Sequence, residues 1–408
     1  MGIEQTVVIV GGGYAGVLCA NRLRSSLGED RAAVTRIIVV NPTPQFQERI
    51  RLHEVAAGTR STAAIPLADL LHSNVELRVG HVVRIDPADQ VVDVEIAGET
   101  SALPFDLLVY AVGSGSDRST PGVREFAHGI ADPDDAGAAH RRIDSAAPGS
   151  RIVVVGGGFT GVETASEVAQ QHPDVDVVLV SAGPLVSGMR TAARRSIHRS
   201  LHRLGVDVRE NSRVDRVTEN AIVLDSGELE TFDICLWTAS FSVPDLARAS
   251  GLAVDEHGRL LVDEELRSID SPHILGAGDS VRLPESVGNH VRMGCAMALP
   301  LGGAAAATAL ALLRGEQPPT VSVGFIVQCI SLGRSNGYIQ IVHADDSPRP
   351  LALSGRLAAF VKEAVCRMTV NASKRERTTP GAYWGPKGPK PRPHGAPATQ
   401  WHGDVRTR

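Results

Sequence analysis

Two triplets of glycine carry most of the chemistry this chain can offer. Gly11, Gly13 and Gly16 follow the run T-V-V-I-V, and Gly156, Gly158 and Gly161 follow R-I-V-V-V. After a strand and ahead of a helix, G-x-G-x-x-G binds a dinucleotide. The first glycine makes the tight turn, the second lets a pyrophosphate approach the backbone, and the third lets helix and strand pack closely. One such motif is a weak signal, because glycine turns are common. Two copies 145 residues apart, each opening a helical pattern with small residues inward, are a strong one. A third site is I-L-G-A-G-D, Ile274 to Asp279, where a strand ends in glycines and delivers a carboxylate. Glu163 stands on the first turn of the second motif's helix, where the helix dipole by itself also favours a carboxylate.

The residue that ends the second strand of such a unit is ordinarily acidic, to bind ribose hydroxyls. Neither copy has it. Asn41 follows I-I-V-V and can still donate to and accept from hydroxyls. Ser181 follows V-V-L-V, which removes a barrier to a 2′-phosphate. Arg190, Arg194 and Arg195 come soon after and could pair with that phosphate or form a solvated helix face. Both NADH and NADPH are therefore admitted. Arg49, Arg51 and His53 would share one face of a strand, lining a ring or facing solvent. Gly113, in L-V-Y-A-V-G-S, ends a buried strand at a crossing between the two nucleotide units.

The elements that must position these residues read as α/β. Each glycine motif begins a βαβ unit, with the next strands at Arg36–Val40 and Val175–Val180. Further strands are expected at 75–79, 91–96, 107–112, 221–224 and 234–238. A small helix follows at 295–313, then strands near 321–330 and 338–342 and an amphipathic helix near 356–370. Gly294 to Leu313 runs without a charge and imitates a membrane span, but its Ala and Gly bury little area and Pro300 interrupts it, so a buried helix is expected. The 41 glycines in 408 residues and a net charge of −5 fit dinucleotide binding and not nucleic-acid binding. Residues 374–408 hold eight Lys/Arg against two Asp/Glu, with six prolines, and read as a disordered basic tail. The five cysteines are dispersed, with no C-x-x-C, so neither a metal site nor a redox disulfide is expected. With no signal-peptide pattern, a cytoplasmic location is expected.

The ordered set of glycine motif, A-V-G, second glycine motif with G-V-E, W-T-A and G-A-G-D resembles the FAD-dependent pyridine nucleotide oxidoreductases with two dinucleotide domains. Within them the chain is most similar to the type II NADH dehydrogenase branch, over about residues 5–345. The resemblance implies a nicotinamide domain inserted into the FAD domain. The divisions expected are 1–117 and 248–317 for FAD, 118–247 for the nicotinamide dinucleotide, and 318–373 for a small C-terminal α+β module. It implies FAD on Gly11, Gly13, Gly16, Asn41 and Asp279, with Arg51, Gly113, Cys295 and Ala296 near the flavin. It implies NADH or NADPH on Gly156, Gly158, Gly161 and Ser181, with Glu163 as the catalytic residue near the nicotinamide–flavin contact.

The pattern also departs from that branch. Quinone-reducing members carry an A-Q pair and a later Q-G at the small helix. Here the aligned residues are Cys295-Ala296 and Leu301-Gly302. A small electron acceptor is expected, with a quinone as one candidate. A dedicated biosynthetic flavoenzyme and a reductase serving a protein electron carrier are the rivals. The C-terminal helix admits three uses: capping the fold, a homodimer contact, or peripheral contact with the inner face of a membrane.

Overall fold

The computed structural model describes residues 5–389. In chain order its main elements begin with β1 (Gln5–Val10), α1 (Tyr14–Ser26), β2 (Thr35–Asn41), α2 (Leu52–Ala56), β3 (Glu76–Val79) and β4 (Leu107–Tyr110). Next come β5 (His128–Gly129), β6 (Arg151–Val155), α3 (Phe159–Gln171), β7 (Asp176–Val180), α4 (Thr191–Arg203), β8 (Asp207–Arg209) and β9 (Ile234–Trp237). They are followed by β10 (Ile274–Gly276), α5 (Cys295–Arg314), β11 (Val327–Ser331), β12 (Gly337–Val342), β13 (Pro348–Ser354) and α6 (Arg356–Arg375).

Two five-stranded parallel sheets share one plan. The first runs β10-β4-β1-β2-β3 and the second β5-β9-β6-β7-β8. β1 and β6 lie third in their sheets with helices against them, so their side chains are buried on both faces and their sequences are unbroken apolar runs rather than alternations. β10 returns to the first sheet only after the second is complete, so the second domain is inserted into the first. The third unit is the antiparallel sheet β11-β12-β13 with α6 packed on it. β13 carries Pro348 and Pro350, which masks it in the sequence. It lies at the sheet edge, where a proline removes no ladder bond.

The structure corrects four expectations. Arg49–Arg51 form a 3-10 turn leading into α2, so Arg49, Arg51 and His53 do not share a strand face. Residues 321–326 are irregular, and β11 begins at Val327. α6 continues to Arg375, five residues beyond its expected end. Residues 374–389, expected in a disordered tail, are packed: Glu376 is fully buried, and Gly324 N–H donates to the Pro386 carbonyl at 2.9 Å. The rest of that expected tail, 390–408, lies outside the described residues.

Among the described residues α5 is the one helix long and apolar enough to cross a membrane, and 72% of its most apolar window is buried. It packs on α1 at unusually close range. A Cβ at Gly302 would lie 2.3 Å from the Ala15 carbonyl oxygen, so only glycine fits there. Leu301 beside it is buried in the core. The positions where related sequences place glutamine and glycine are thus used here for helix packing.

Candidate functional site

Each glycine triplet makes the same cradle. Gly11 has φ +109° and Gly156 φ +129°, a region that favours glycine. A Cβ at Gly16 would lie 1.9 Å from the Gly11 carbonyl oxygen, and one at Gly161 would lie 1.8 Å from that of Gly156. The third glycine therefore sets the helix against the turn. Gly13 and Gly158 are the residues that cap α1 and α3, and a Cβ on either would meet nothing within 4 Å. Open space over a glycine at a helix N-terminus fits a diphosphate, which the first free N–H groups and the helix dipole attract.

The two strand-end residues are spent on the protein itself. Asn41 Oδ1 accepts from Gly12 N–H at 2.8 Å, and its Nδ2 donates to the Thr43 carbonyl at 2.7 Å. Ser181 is buried and its hydroxyl donates to the Gly183 carbonyl at 2.7 Å. Arg194 is also turned inward, donating from Nε to the Leu185 carbonyl at 3.1 Å, whereas Arg190 and Arg195 are exposed. Sequence reasoning missed Glu210. Its carboxylate accepts from Leu185 N–H and lies 3.1 Å from His198 Nε2, fastening the loop after β7.

Asp279 anchors the amino-terminal end of α5 to the segment that follows β4. Its Oδ2 accepts from Ser114 Oγ at 2.7 Å and its Oδ1 from Gly294 N–H at 2.7 Å. Gly113, at φ +72°, precedes Ser114, and Arg49 Nη1 donates to Ser114 Oγ at 3.2 Å. Cys295 and Ala296 open α5, and Ala296 is exposed. Their N–H groups precede the helical bonding pattern and are available to a negative group. Burial pushes the Cys295 thiol up to about 12, so it is no thiolate nucleophile near neutral pH.

Arg51 does not belong to this group. Its guanidinium is 2% exposed and donates to Glu54 at 2.8 Å and to Glu363 at 2.9 Å. Arg49, two residues earlier, is the arginine beside Asp279. Glu163 meets partners that its local sequence does not announce. Its Oε1 accepts from Lys362 Nζ at 2.9 Å, Ser331 N–H at 2.9 Å and Ser331 Oγ at 3.1 Å. Burial pushes the Glu163 carboxyl up, but Lys362, His53 and the Ser331 N–H together hold it below the ordinary carboxylate range. Burial alone would lower Lys362; Glu163 reverses this and holds the ammonium above its usual value. His53 faces the same pair, and burial lowers it to about 4. Phe159 follows Gly158 on α3, with the Arg292 guanidinium 5.6 Å from its ring centre. The inserted domain (Phe159, Glu163), the first domain (His53, Arg292) and the C-terminal module (Ser331, Lys362) thus meet at one place. Among the described residues no His, Cys, Asp and Glu group could hold a metal ion.

Two glycine cradles on twinned parallel sheets, one domain inserted in the other, with a polar junction between them, define a flavoprotein oxidoreductase with two dinucleotide domains. The family model described as pyridine nucleotide-disulphide oxidoreductase matches residues 5–294. This chain belongs to that family, whose members are FAD- and pyridine nucleotide-dependent enzymes. It is similar to an NADH dehydrogenase-like protein of Mycobacterium tuberculosis, 28% identical over 88% of this chain and 92% of that one. It is also similar to a type II NADH:quinone oxidoreductase of the same organism, 31% identical over 68% of this chain and 67% of that one. Among solved structures, the sulfide:quinone oxidoreductase of Aquifex aeolicus superposes with a TM-score of 0.78 over 92% of each chain, at 18% identity, and shares the fold.

Proposed function

We propose that this enzyme oxidises NADH on FAD and delivers the electrons to a small conjugated acceptor, with a quinone as the first candidate. The observation that carries this reading is the junction at Glu163, where residues of both domains and of the C-terminal module converge. Gly11, Gly13, Gly16 and Asp279 hold FAD in this reading, with Arg49 and Ser114 orienting the Asp279 carboxylate. Gly156, Gly158 and Gly161 hold the nicotinamide dinucleotide. FAD bound there supplies two-electron transfer between a nicotinamide and an acceptor.

The chain's own work is to bind, orient and manage charge. The amino termini of α1 and α3 attract the two diphosphates. The first turn of α5, at Cys295 and Ala296, offers N–H groups to negative charge that develops during transfer. A hydride carries two electrons and one proton, so full reduction of a quinone needs one more proton from solvent. The Lys362 ammonium bonded to Glu163 Oε1 keeps that carboxylate charged and fixed at the junction. NADH is favoured over NADPH because Ser181 and Arg194 are occupied and Glu210 adds negative charge beside the loop; the names of the relatives also favour NADH. The exposed stripe Leu357, Phe360 and Met368 on α6, flanked by Arg356 and Arg367, suits peripheral contact with an anionic membrane.

The test is anaerobic titration of the purified protein's flavin absorbance with NADH and, separately, NADPH. NADH is expected to bleach it within milliseconds to seconds, and NADPH more slowly. No bleaching by either nucleotide would sink the reading.

A further inference from the structure

α4 carries charges that work against its own stability. Its sequence T-A-A-R-R-S-I-H-R-S-L-H-R holds four arginines, two histidines and no acidic residue, and Arg190 precedes it. Arg194 closes a first turn without a carboxylate, where the helix dipole favours negative charge. Arg195, Arg199 and Arg203 follow at intervals of four, so like charges are neighbours along one stripe, which destabilises a helix. The helix Pro133–Asp144 of the same domain has the ordinary arrangement, with Asp134 and Asp135 in its first turn and Arg141 and Arg142 in its last. The chain is −5 overall although Arg190 and the arginines of α4 contribute +5. Stability does not account for such a concentration of charge.

The stripe faces solvent. Ala193, Ile197 and Leu201 are buried on the opposite side of the helix. Arg190, Arg195, Arg199, His202 and Arg203 are exposed. Among the described residues the ion pairs of α4 are those of Arg194 and His198 with Glu210, and the exposed arginines have none. The stripe also starts at the rim of the second cradle. The loop 181–190 leading into α4 is bonded to that cradle, with Val186 N–H donating to the Gly157 carbonyl at 2.8 Å, inside the glycine triplet. The counterpart in the first domain, the segment after β2, instead buries Arg51 between Glu54 and Glu363. A membrane is not the natural partner. Ser331 meets Lys362 of α6, whereas the adjacent Ile330 packs in the cluster that holds Ile197 and Leu201. Neighbouring strand residues point to opposite faces, so α4 and α6 lie on opposite faces of the C-terminal sheet and the basic stripe looks away from the apolar one.

We propose that the α4 stripe is an electrostatic guide for the anionic nicotinamide dinucleotide, with Arg195, Arg199 and Arg203 drawing it to the second cradle from outside the bound contact. This rests on the reading under Proposed function. In that reading the first cradle keeps its FAD while the second refills at every turnover, so a faster association serves the second alone. Fixed charge of one sign beside a cleft raises association rates by roughly 10–10³-fold, and added salt removes the gain.

The experiment measures the second-order rate constant for flavin bleaching by limiting NADH, in the purified flavin-loaded protein, by anaerobic stopped flow. Salt is raised from about 10 to about 150 mM KCl, over which the screening length falls from about 30 to about 8 Å. The parent is expected to lose about tenfold over this range. The triple variant Arg195→Gln, Arg199→Gln, Arg203→Gln is expected to start about tenfold lower at low salt, to show little salt dependence and to meet the parent at high salt. Its limiting bleaching rate at saturating NADH should match the parent, and its Tm should be equal or higher because repulsion along the helix is relieved. Reduced nicotinamide riboside, a hydride donor without phosphate, should bleach both proteins alike at every salt concentration. The same charge change in the first domain, Arg36→Gln, Arg84→Gln, Arg314→Gln, should keep the parent's salt slope. A slope unchanged by the α4 variant overturns the guide. So does an equal loss with the riboside, which marks a structural effect, or an equal flattening in the first-domain variant, which marks net charge alone. Absence of bleaching of the parent by NADH and by NADPH overturns the oxidoreductase reading instead.

Discussion

Glu54 lies at the crossing of three arginines: Arg51 at 2.8 Å, Arg60 at 2.7 Å and Arg334 at 3.1 Å. Burial would raise its carboxyl, but Arg60, His53 and Arg51 bring it down to about 2, from a usual 4.5. The unfolded chain therefore takes up the proton first as pH falls, and the stabilisation is lost between about pH 4.5 and 2. His53 adds to this at milder acidity, because the unfolded imidazole protonates near 6.5 while the buried one stays neutral to about 4. Urea midpoints should thus fall in two stages, below pH 6.5 and again below 4.5. Glu54→Gln should remove the second stage and cost about 3–5 kcal/mol at pH 7, as expected when one partner of a buried ion cluster is removed. A flat acid profile for the parent protein would count against both assignments. At the nucleotide loop, Arg190→Ala should reduce kcat/KM for NADPH more than for NADH. Arg194→Ala should reduce both alike, since Arg194 holds the loop through the Leu185 carbonyl.

The twin cradles separate packing from binding at the level of the element. Gly16→Ala places a methyl 1.9 Å from a backbone oxygen, so α1 must move off β1, at a cost of about 1–3 kcal/mol or more. Gly13→Ala meets no protein atom within 4 Å. Its apoprotein should melt with the parent, yet its flavin content after purification should drop if the space above Gly13 is the diphosphate's. Equal flavin content in parent and variant would place the diphosphate elsewhere. These cradles were legible in the sequence because the spacing that makes them is local. Asp279 was legible for the same reason, as the end of one strand. Lys362 was not, because it meets Glu163 from 199 positions away and a lysine on an amphipathic helix reads as solvated. The same holds for Glu376 and Arg22, whose pairing turned an expected basic tail into a packed turn. Arg51 misled because two arginines two residues apart are interchangeable on paper, and the 3-10 turn sends one to Ser114 and the other into a carboxylate cluster.

Over the whole molecule, the C-terminal module joins the two nucleotide domains. Glu163 comes from one domain, His53 and Arg292 from the other, and Ser331 and Lys362 from the module, so the junction exists only when all three are assembled. The same module carries the exposed apolar stripe of α6. Replacing Leu357, Phe360 and Met368 together with serine should reduce co-sedimentation with vesicles containing anionic lipid. Turnover with ferricyanide serves as the folding control. Equal sedimentation of parent and triple variant would remove the membrane from the reading.

The late return of β10 has a consequence for how the chain is made. β4 ends at Tyr110, and its outer neighbour β10 begins at Ile274. During synthesis the inserted domain emerges whole and can fold on the ribosome, while the older half waits with a strand edge unsatisfied for more than a hundred residues. Loop closure over that span is slow compared with local pairing. Nascent chains arrested so that β9 but not β10 has cleared the exit tunnel should therefore show a protease-resistant core from the second sheet and a labile first sheet, and resistance of the first should appear only once residue 276 has also cleared it.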